Sequence, residues 1–171
     1  MKKLIVALFS VIVLFNLSCR PDKCCSPPLP SSQMTAEKNG IGWNTFDVIS
    51  KLNSTNALTI YAISGDVTPN GFAKADSLNF SISYTNKGSY NLHDNQVFYA
   101  AFDKGITTNY KLDTTYNNVL NITGYETIHN PATTNPDPIK ITGTFNIKFV
   151  DPKNPVGISF LNGNFYTLIT Q

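Results

Sequence analysis

Arginine is almost missing from this sequence of 171 residues, in which Arg20 is the only one. The 13 Lys and Arg fall to 11 once an N-terminal leader containing Lys2 and Lys3 is removed, which equals the 11 Asp and Glu. Proteins that bind nucleic acid neutralise phosphates with many Lys and Arg, and Arg most often reads base edges. The composition therefore excludes nucleic acid from the expected partners.

Cysteine is absent after residue 25, so the folded region has neither a disulfide nor a cysteine nucleophile. Adjacent Cα atoms are ~3.8 Å apart, which is below the disulfide range of about 4.4–6.8 Å. A bond between Cys24 and Cys25 would therefore be strained. We expect free thiols in a tether, with a strained or intermolecular disulfide as the alternative.

Long apolar runs are also absent, except for Leu4–Leu17. That run is shorter than the roughly 20 residues of a membrane-spanning helix. It follows the basic Met1–Lys3 and ends at small and polar residues, which is the layout of a secretory signal peptide. We interpret residues 1–18 as this signal.

The end of the signal, "FNLSC", resembles a bacterial lipoprotein signal, with Ser18 as the small residue before Cys19. The resemblance implies cleavage between Ser18 and Cys19, diacylglycerol on the Cys19 thiol and often an N-acyl chain. Each buried methylene contributes about 0.8 kcal/mol, so two or three chains anchor a protein stably. We expect a lipid-anchored protein of the cell envelope, at the outer membrane, facing the periplasm or the cell surface.

The mature chain divides into two parts. Residues 19–32 form a Pro-rich tether, which we expect to be extended and semi-rigid. Residues 33–171 have the length of one ordinary domain. Their abundant Asn and Thr favour turns and strands over helices.

Period-two alternation dominates this domain, as in "SLNFSISY" and "IKITGTFNIKFV". Frequent turn signals separate the candidate strands, and "FLNGNF" predicts a tight hairpin with a type I′ turn at Asn-Gly. The pattern predicts a single all-β domain, an antiparallel sandwich or barrel. A short helix over Phe46–Lys51 is the local alternative. The other predicted strands are Thr35–Lys38, Asn44–Lys51, Leu58–Ser64, Gly88–Leu92, Val97–Phe102, Thr108–Leu112, Val119–Ile128, Gly157–Leu161 and Phe165–Thr170.

Several stretches together resemble a family of uncharacterised Bacteroidota lipoproteins with a domain of unknown function. They are "MTAEKNGIGWNTFDV", "NKGSYNL", "ITGTFNIKFV" and "ISFLNGNFYTLI". The resemblance implies a lipid anchor and a β-rich domain, and it implies no activity.

Residues for catalysis or metal binding are few. His93 and His129 are far apart in the sequence, and both are predicted to lie in loops. Two distant histidines are too few ligands to indicate a zinc site. Glu126 with Asp66, Asp94 or Asp103 is a candidate carboxylate pair for glycoside hydrolysis, of a kind that most small domains could supply. No Gly-x-Ser-x-Gly elbow occurs. We expect no catalytic residue, no metal and no cofactor beyond the lipid on Cys19.

The aromatic residues, among them Trp43 and eight Tyr, predict core packing, with sugar stacking or an apolar ligand as alternatives. Two tripeptides that begin at Asp76 and Asp113 resemble the O-glycosylation sequence of Bacteroidota, which makes Ser77 and Thr114 candidate sites. The sequence favours a non-catalytic binding or structural module with a glycan or an envelope protein as its partner. A lipocalin-like carrier of a small apolar ligand is the alternative, and an enzyme ranks third.

Overall fold

The computed structural model describes residues 31–68, 71–94, 96–129, 136–151 and 153–169. The predicted signal peptide, Cys19 and the tether up to residue 30 lie outside the described residues. The described chain is all-β, as predicted, and its strands form one nearly closed antiparallel sheet with a barrel-like fold. The strands are β1 (Gln33–Lys38), β2 (Ile41–Thr45), β3 (Asp47–Leu52), β4 (Ala57–Thr68), β5 (Gly71–Ser83), β6 (Gly88–Asn91), β7 (Val97–Asp103), β8 (Ile106–Leu112), β9 (Val119–Thr127), β10 (Ile139–Asp151) and β11 (Asn154–Ile169).

The alternation in the sequence separates the inside of the sheet from its outside. In β10 every second residue from Ile139 to Phe149 is buried, and the residues between them are partly exposed. Phe80, Phe145 and Phe160 have no exposed surface. Burying the apolar face of each strand in one shared core is what stabilises an antiparallel sheet of this kind.

The strands follow the order β2-β1-β11-β10-β8-β7-β5-β4-β3, while β9 pairs with β10 and β6 pairs with β9. Side chains join the two ends of this order. The hydroxyls of Ser50 on β3 and Thr167 on β11 lie 2.6 Å apart, and the Ser64 hydroxyl of β4 donates to the Asn44 carbonyl of β2 at 2.8 Å. These contacts close the gap between β2, β3 and their neighbours.

Glycine makes room for two phenyl rings in the core. A Cβ at Gly143 would lie 2.6 Å from the Phe165 ring, and one at Gly163 would lie 2.4 Å from the Phe145 ring. Both glycines belong to the β10–β11 pair, in which Gly143 faces Phe165 and Phe145 faces Gly163. The rings therefore pack across the pair where any other residue would collide with them.

One local prediction is wrong, and one local alternative is not observed. The predicted hairpin in "FLNGNF" does not form, because β11 runs through Asn162 and Gly163 as one strand. The positive φ of Asn162, 52°, serves instead an irregularity in the β10–β11 register. Residues Phe46–Lys51 are not helical, because β3 begins at Asp47 directly after a bend at Phe46.

The chain enters and leaves the barrel at the same end. The Ser32 hydroxyl accepts a hydrogen bond from the Leu168 N–H at 3.0 Å, one residue before the described chain ends. From there β1 runs along β11 to Lys38, which pairs with Phe160. In the described part of the chain no helix is long and apolar enough to cross a membrane.

Candidate binding groove

An open groove of about 720 Å³ lies at the end of the barrel to which β1 runs. The bend between β2 and β3 forms one side, and β4, β5 and β7 form the other. It is lined by Lys38, Asn44, Thr45, Phe46, Asp47, Ile63, Ser64, Gly65, Lys74, Ala75, Asp76, Ala101, Phe102 and Asp103.

A polar cluster of Lys38, Asp76 and Tyr99 forms at the inner edge of the groove. The Lys38 Nζ lies 2.7 Å from both carboxylate oxygens of Asp76. The Tyr99 hydroxyl donates to Asp76 Oδ1 at 2.7 Å, and the Lys38 ammonium lies 5.4 Å from the centre of the Tyr99 ring. The two charges are largely buried, with 25% and 17% of their side chains exposed, so the pairing offsets their desolvation.

Burial raises the pKa of Tyr99 well above 10.0, and the hydrogen bond to the negative Asp76 raises it further. Tyr99 is 2% exposed and contacts the rings of Tyr110, Phe149 and Phe160. The Tyr99 phenol therefore remains a hydrogen-bond donor at neutral pH and fixes the carboxylate that holds Lys38.

A second ion pair lies on the rim of the groove. Lys74 Nζ and Asp103 Oδ2 are 3.6 Å apart, and both side chains are more than half exposed. Pairs of this kind contribute little to stability because water screens them. The four charges of the two pairs neutralise each other in place.

The bend between β2 and β3 exposes a phenyl ring to the groove. The Thr45 hydroxyl accepts from the Asp47 N–H at 3.0 Å and donates to the Ile63 carbonyl of β4. This side chain fixes the bend and turns Phe46 outward, where 61% of it is exposed. Phe46 therefore places an exposed apolar ring in the lining of the groove.

A smaller cleft of about 290 Å³ adjoins the groove on the outer face of the sheet. The groove and the cleft share Ile63, Ala75, Asp76 and Phe102. The cleft is lined by Tyr61, Ile63, Ala75, Asp76, Ser77, Ala100, Phe102 and Thr107. The shared residues make the two openings one continuous surface.

The two candidate glycosylation residues have different surroundings. Ser77 lies in the middle of β5, paired with Ile63 and Ala100, and lines the outer cleft. Thr114 is exposed in a turn after β8, where the Asp113 carboxylate accepts from the N–H and hydroxyl of Thr115. These hydrogen bonds lower the pKa of Asp113.

Among the described side chains, the candidate carboxylates lie on different elements. Glu126 lies on β9 with its carboxylate 3.9 Å from Lys140 Nζ, whereas Asp103 lies on the groove rim. Asp94 lies beside His93 in a polar pocket between the β6–β7 and β8–β9 loops. The side chain of Asp66 lies outside the described part.

His129 has a partner that the sequence did not indicate. Its Nδ1 lies 2.9 Å from Asp137 Oδ2, and 79% of the His129 side chain is exposed. Over the described residues, no three His, Cys, Asp or Glu side chains cluster closely enough to hold a metal ion.

The groove was not foreseen from the sequence, because Lys38 and Asp76 are 38 residues apart. One signal was present. Lys38 and Asp76 stand at positions that the alternation assigns to the inside, next to buried Ala36 and Leu78. A charged residue at an inward position indicates a polar part of the barrel interior, because a buried charge needs a partner.

Fold and groove define an all-β domain of barrel-like form with an open groove at one end. The chain belongs to the family described as domain of unknown function DUF6252, whose model matches residues 31–168. The match confirms the sequence-based expectation of a domain of unknown function. No curated protein and no solved structure is significantly similar to the chain.

Proposed function

We propose that this protein is a lipid-anchored, non-catalytic binding module of the cell envelope, attached to the outer membrane through Cys19. The groove is its binding surface. The observation that carries the proposal is that the tether and the groove lie at opposite ends of β1. The tether joins the barrel at Ser32, and the groove begins at Lys38. Five residues of strand separate Gln33 from Lys38, which is ~17 Å. An anchor at Cys19 would therefore hold the groove away from the membrane.

Pairing of four of the five charged residues that line the groove supports binding over catalysis. Asp76 is engaged by Lys38 and by Tyr99, and Asp103 is next to Lys74. A general base or nucleophile needs a free lone pair aimed at the substrate. Here the carboxylates stabilise the wall of the groove, while Phe46 offers apolar contact area to a ligand.

The carrier alternative depends on the outer cleft. Inside the barrel, Tyr99 lies 5.0 Å from Tyr110 and 5.3 Å from Phe149, and Phe80 lies 5.3 Å from Phe145, between ring centres. Rings at these distances fill a core. An apolar ligand would instead occupy the outer cleft. A carrier would bring an apolar molecule through purification, which organic extraction and mass spectrometry detect, whereas the binding module would yield none.

Membrane fractionation tests the anchor. The wild-type chain is expected in the membrane fraction after washing with high salt, and Cys19→Ser is expected to lose this association because no acyl chain can be attached. Cys24→Ser is the matched control and is expected to stay in the membrane. If Cys24→Ser left the membrane fraction while Cys19→Ser stayed in it, the anchor would be at a residue other than Cys19.

A further inference from the structure

The outer face of β4, β5 and β7 carries no charge over the described side chains. Buried residues such as Ile60, Leu78 and Tyr99 mark the inward positions, so the residues between them face out. Those outward residues are aromatic, aliphatic, amide and hydroxyl side chains. The outer face of β10 differs, because Lys140 and Lys148 alternate there with its buried residues.

Aromatic side chains are spaced across this uncharged face. Tyr61, Asn79 and Phe98 are cross-strand neighbours in one row, and Phe98 is 55% exposed. Phe102 stands on the same side of β7 four residues further on. Adjacent strands are ~4.8 Å apart and each residue adds ~3.3 Å. Phe98 is thus about 10 Å from Tyr61 and about 13 Å from Phe102, which is a surface for an extended ligand.

Polar groups lie between the rings. Ser77 stands beside Ala100 in the row next to Asn79. The Asn79 Oδ1 atom is buried and has no hydrogen-bond partner. An acceptor left without a donor costs free energy unless a ligand or a rotation of the amide satisfies it. This face therefore combines rings for stacking with hydroxyl and amide groups for hydrogen bonding.

We propose that the outer face of β4, β5 and β7 binds a neutral polysaccharide. The inference rests on the proposed binding role, adds to the groove a second surface that is continuous with it through shared lining residues, and names the ligand class of that second surface. The C–H groups of a sugar ring carry partial positive charge and pack on the negative face of an aromatic ring, while its hydroxyls pair with amides and hydroxyls. An acidic glycan or a phospholipid surface would require cations, and the described outward side chains of β4, β5 and β7 include none. Lys51 of the neighbouring β3 pairs with Thr59 at the edge of this face.

A second copy of this chain fits the face less well. Stable homodimer interfaces have a continuous apolar core, whereas Ser77 and Asn79 interrupt the apolar residues of this face. The face also runs along the side of the barrel, where a polymer can lie across β4, β5 and β7 with either end free. A neutral polymer matches both the absence of charge and the spacing of the rings.

Native affinity electrophoresis tests the proposal. The full chain is purified from membranes in a polyoxyethylene detergent, which contains no sugar. It is run in gels that contain hydroxyethyl cellulose, soluble starch or galactomannan, with carboxylated alginate as the charged comparison. We expect at least one neutral polymer to retard the wild type and alginate to have no effect.

Variants locate the binding. Phe98→Ala is expected to weaken the retarding affinity about tenfold, as loss of a central aromatic contact does, and Tyr61→Ala provides a second test. Tyr166→Ala is the matched control, because Tyr166 faces outward on β11 and pairs with Thr142 of β10. It is expected to bind as the wild type does. Circular dichroism and unfolding curves show that each variant is folded.

Three results would overturn the assignment. If no neutral polymer retarded the wild-type protein, the proposal of a neutral polysaccharide ligand would be refuted. The result of the anchor test would not be affected. Loss of retardation in Phe46→Ala with normal retardation in Phe98→Ala would move the ligand to the groove and leave the binding module intact. Wild-type dimers that Phe98→Ala converts to monomers in sedimentation would make the face a contact between copies.

Discussion

Among single residues, Asp76 is expected to contribute strongly to stability. Its carboxylate accepts from Lys38 and from Tyr99 and is mostly buried. In Asp76→Asn the ammonium of Lys38 loses its counter-ion in a site of low exposure. We expect the free energy of unfolding to fall by roughly 1–3 kcal/mol, measured by urea unfolding at pH 7.

Asp103→Asn provides the comparison for this prediction. Its partner Lys74 is 3.6 Å away, and both side chains are well exposed. Exposed pairs contribute about 0–1 kcal/mol, so we expect a smaller loss than for Asp76→Asn. Equal losses in the two variants would show that the Lys38–Asp76 contact does not hold the barrel mouth.

Tyr99 makes stability depend on pH in the alkaline range. Its pKa in the folded state is raised from 10.0, first by burial and then by Asp76. Above pH 10 the unfolded chain releases the Tyr99 proton and the folded chain keeps it, so stability is full below about pH 10 and falls as pH rises further.

Urea unfolding of wild type and Tyr99→Phe between pH 8 and 11 measures this effect. Tyr99→Phe is expected to be less stable at pH 8 by about 1 kcal/mol, because Asp76 loses a hydrogen bond. Its stability is expected to fall less steeply above pH 10. The other tyrosines are the same in both proteins and cancel in the difference. Parallel curves would mean that Tyr99 titrates normally in the folded state.

Among the strands, the β10–β11 pair has the least tolerance for change. A Cβ at Gly143 would lie 2.4 Å from the Asn121 carbonyl oxygen of β9 as well as against the Phe165 ring. Backbone atoms of a paired strand cannot move aside, so we expect Gly143→Ala to cost about 1–3 kcal/mol. Gly42→Ala in β2, where a Cβ would meet no atom within 4 Å, is expected to change the stability by less than about 0.5 kcal/mol.

The strands with one solvent-exposed and one buried face could be predicted from the sequence, whereas the turns were harder to predict. In β10 and β5 apolar and polar residues alternate over many positions, and both strands form where this alternation predicts them. Asn-Gly did form a hairpin at residues 39 and 40, with φ of 51° and 78°. At Asn162 the same dipeptide lies inside a strand, because Gly163 is needed to admit the Phe145 ring. Only the tertiary partner distinguishes the two cases.

For the whole molecule, the class of fold followed from local patterns, but the groove did not. The alternation of apolar and polar residues is a property of each single strand. The groove depends instead on the bend at Phe46 and on contacts between β1, β5 and β7. The Thr45 side chain that fixes this bend bonds to Ile63, which is 18 residues away. No local pattern specifies such a contact. The attachment at Cys19 is inferred from the resemblance of "FNLSC" to a lipoprotein signal.

Intact mass spectrometry of the protein from membranes tests the central claim, a binding module anchored at Cys19. We expect the wild-type mass to equal residues 19–171 plus the diacylglycerol and any N-acyl chain, and we expect Cys19→Ser to lack this species. A wild-type chain without acyl groups, or one cleaved at another residue, would contradict the anchor. The groove would then have no fixed direction relative to a membrane.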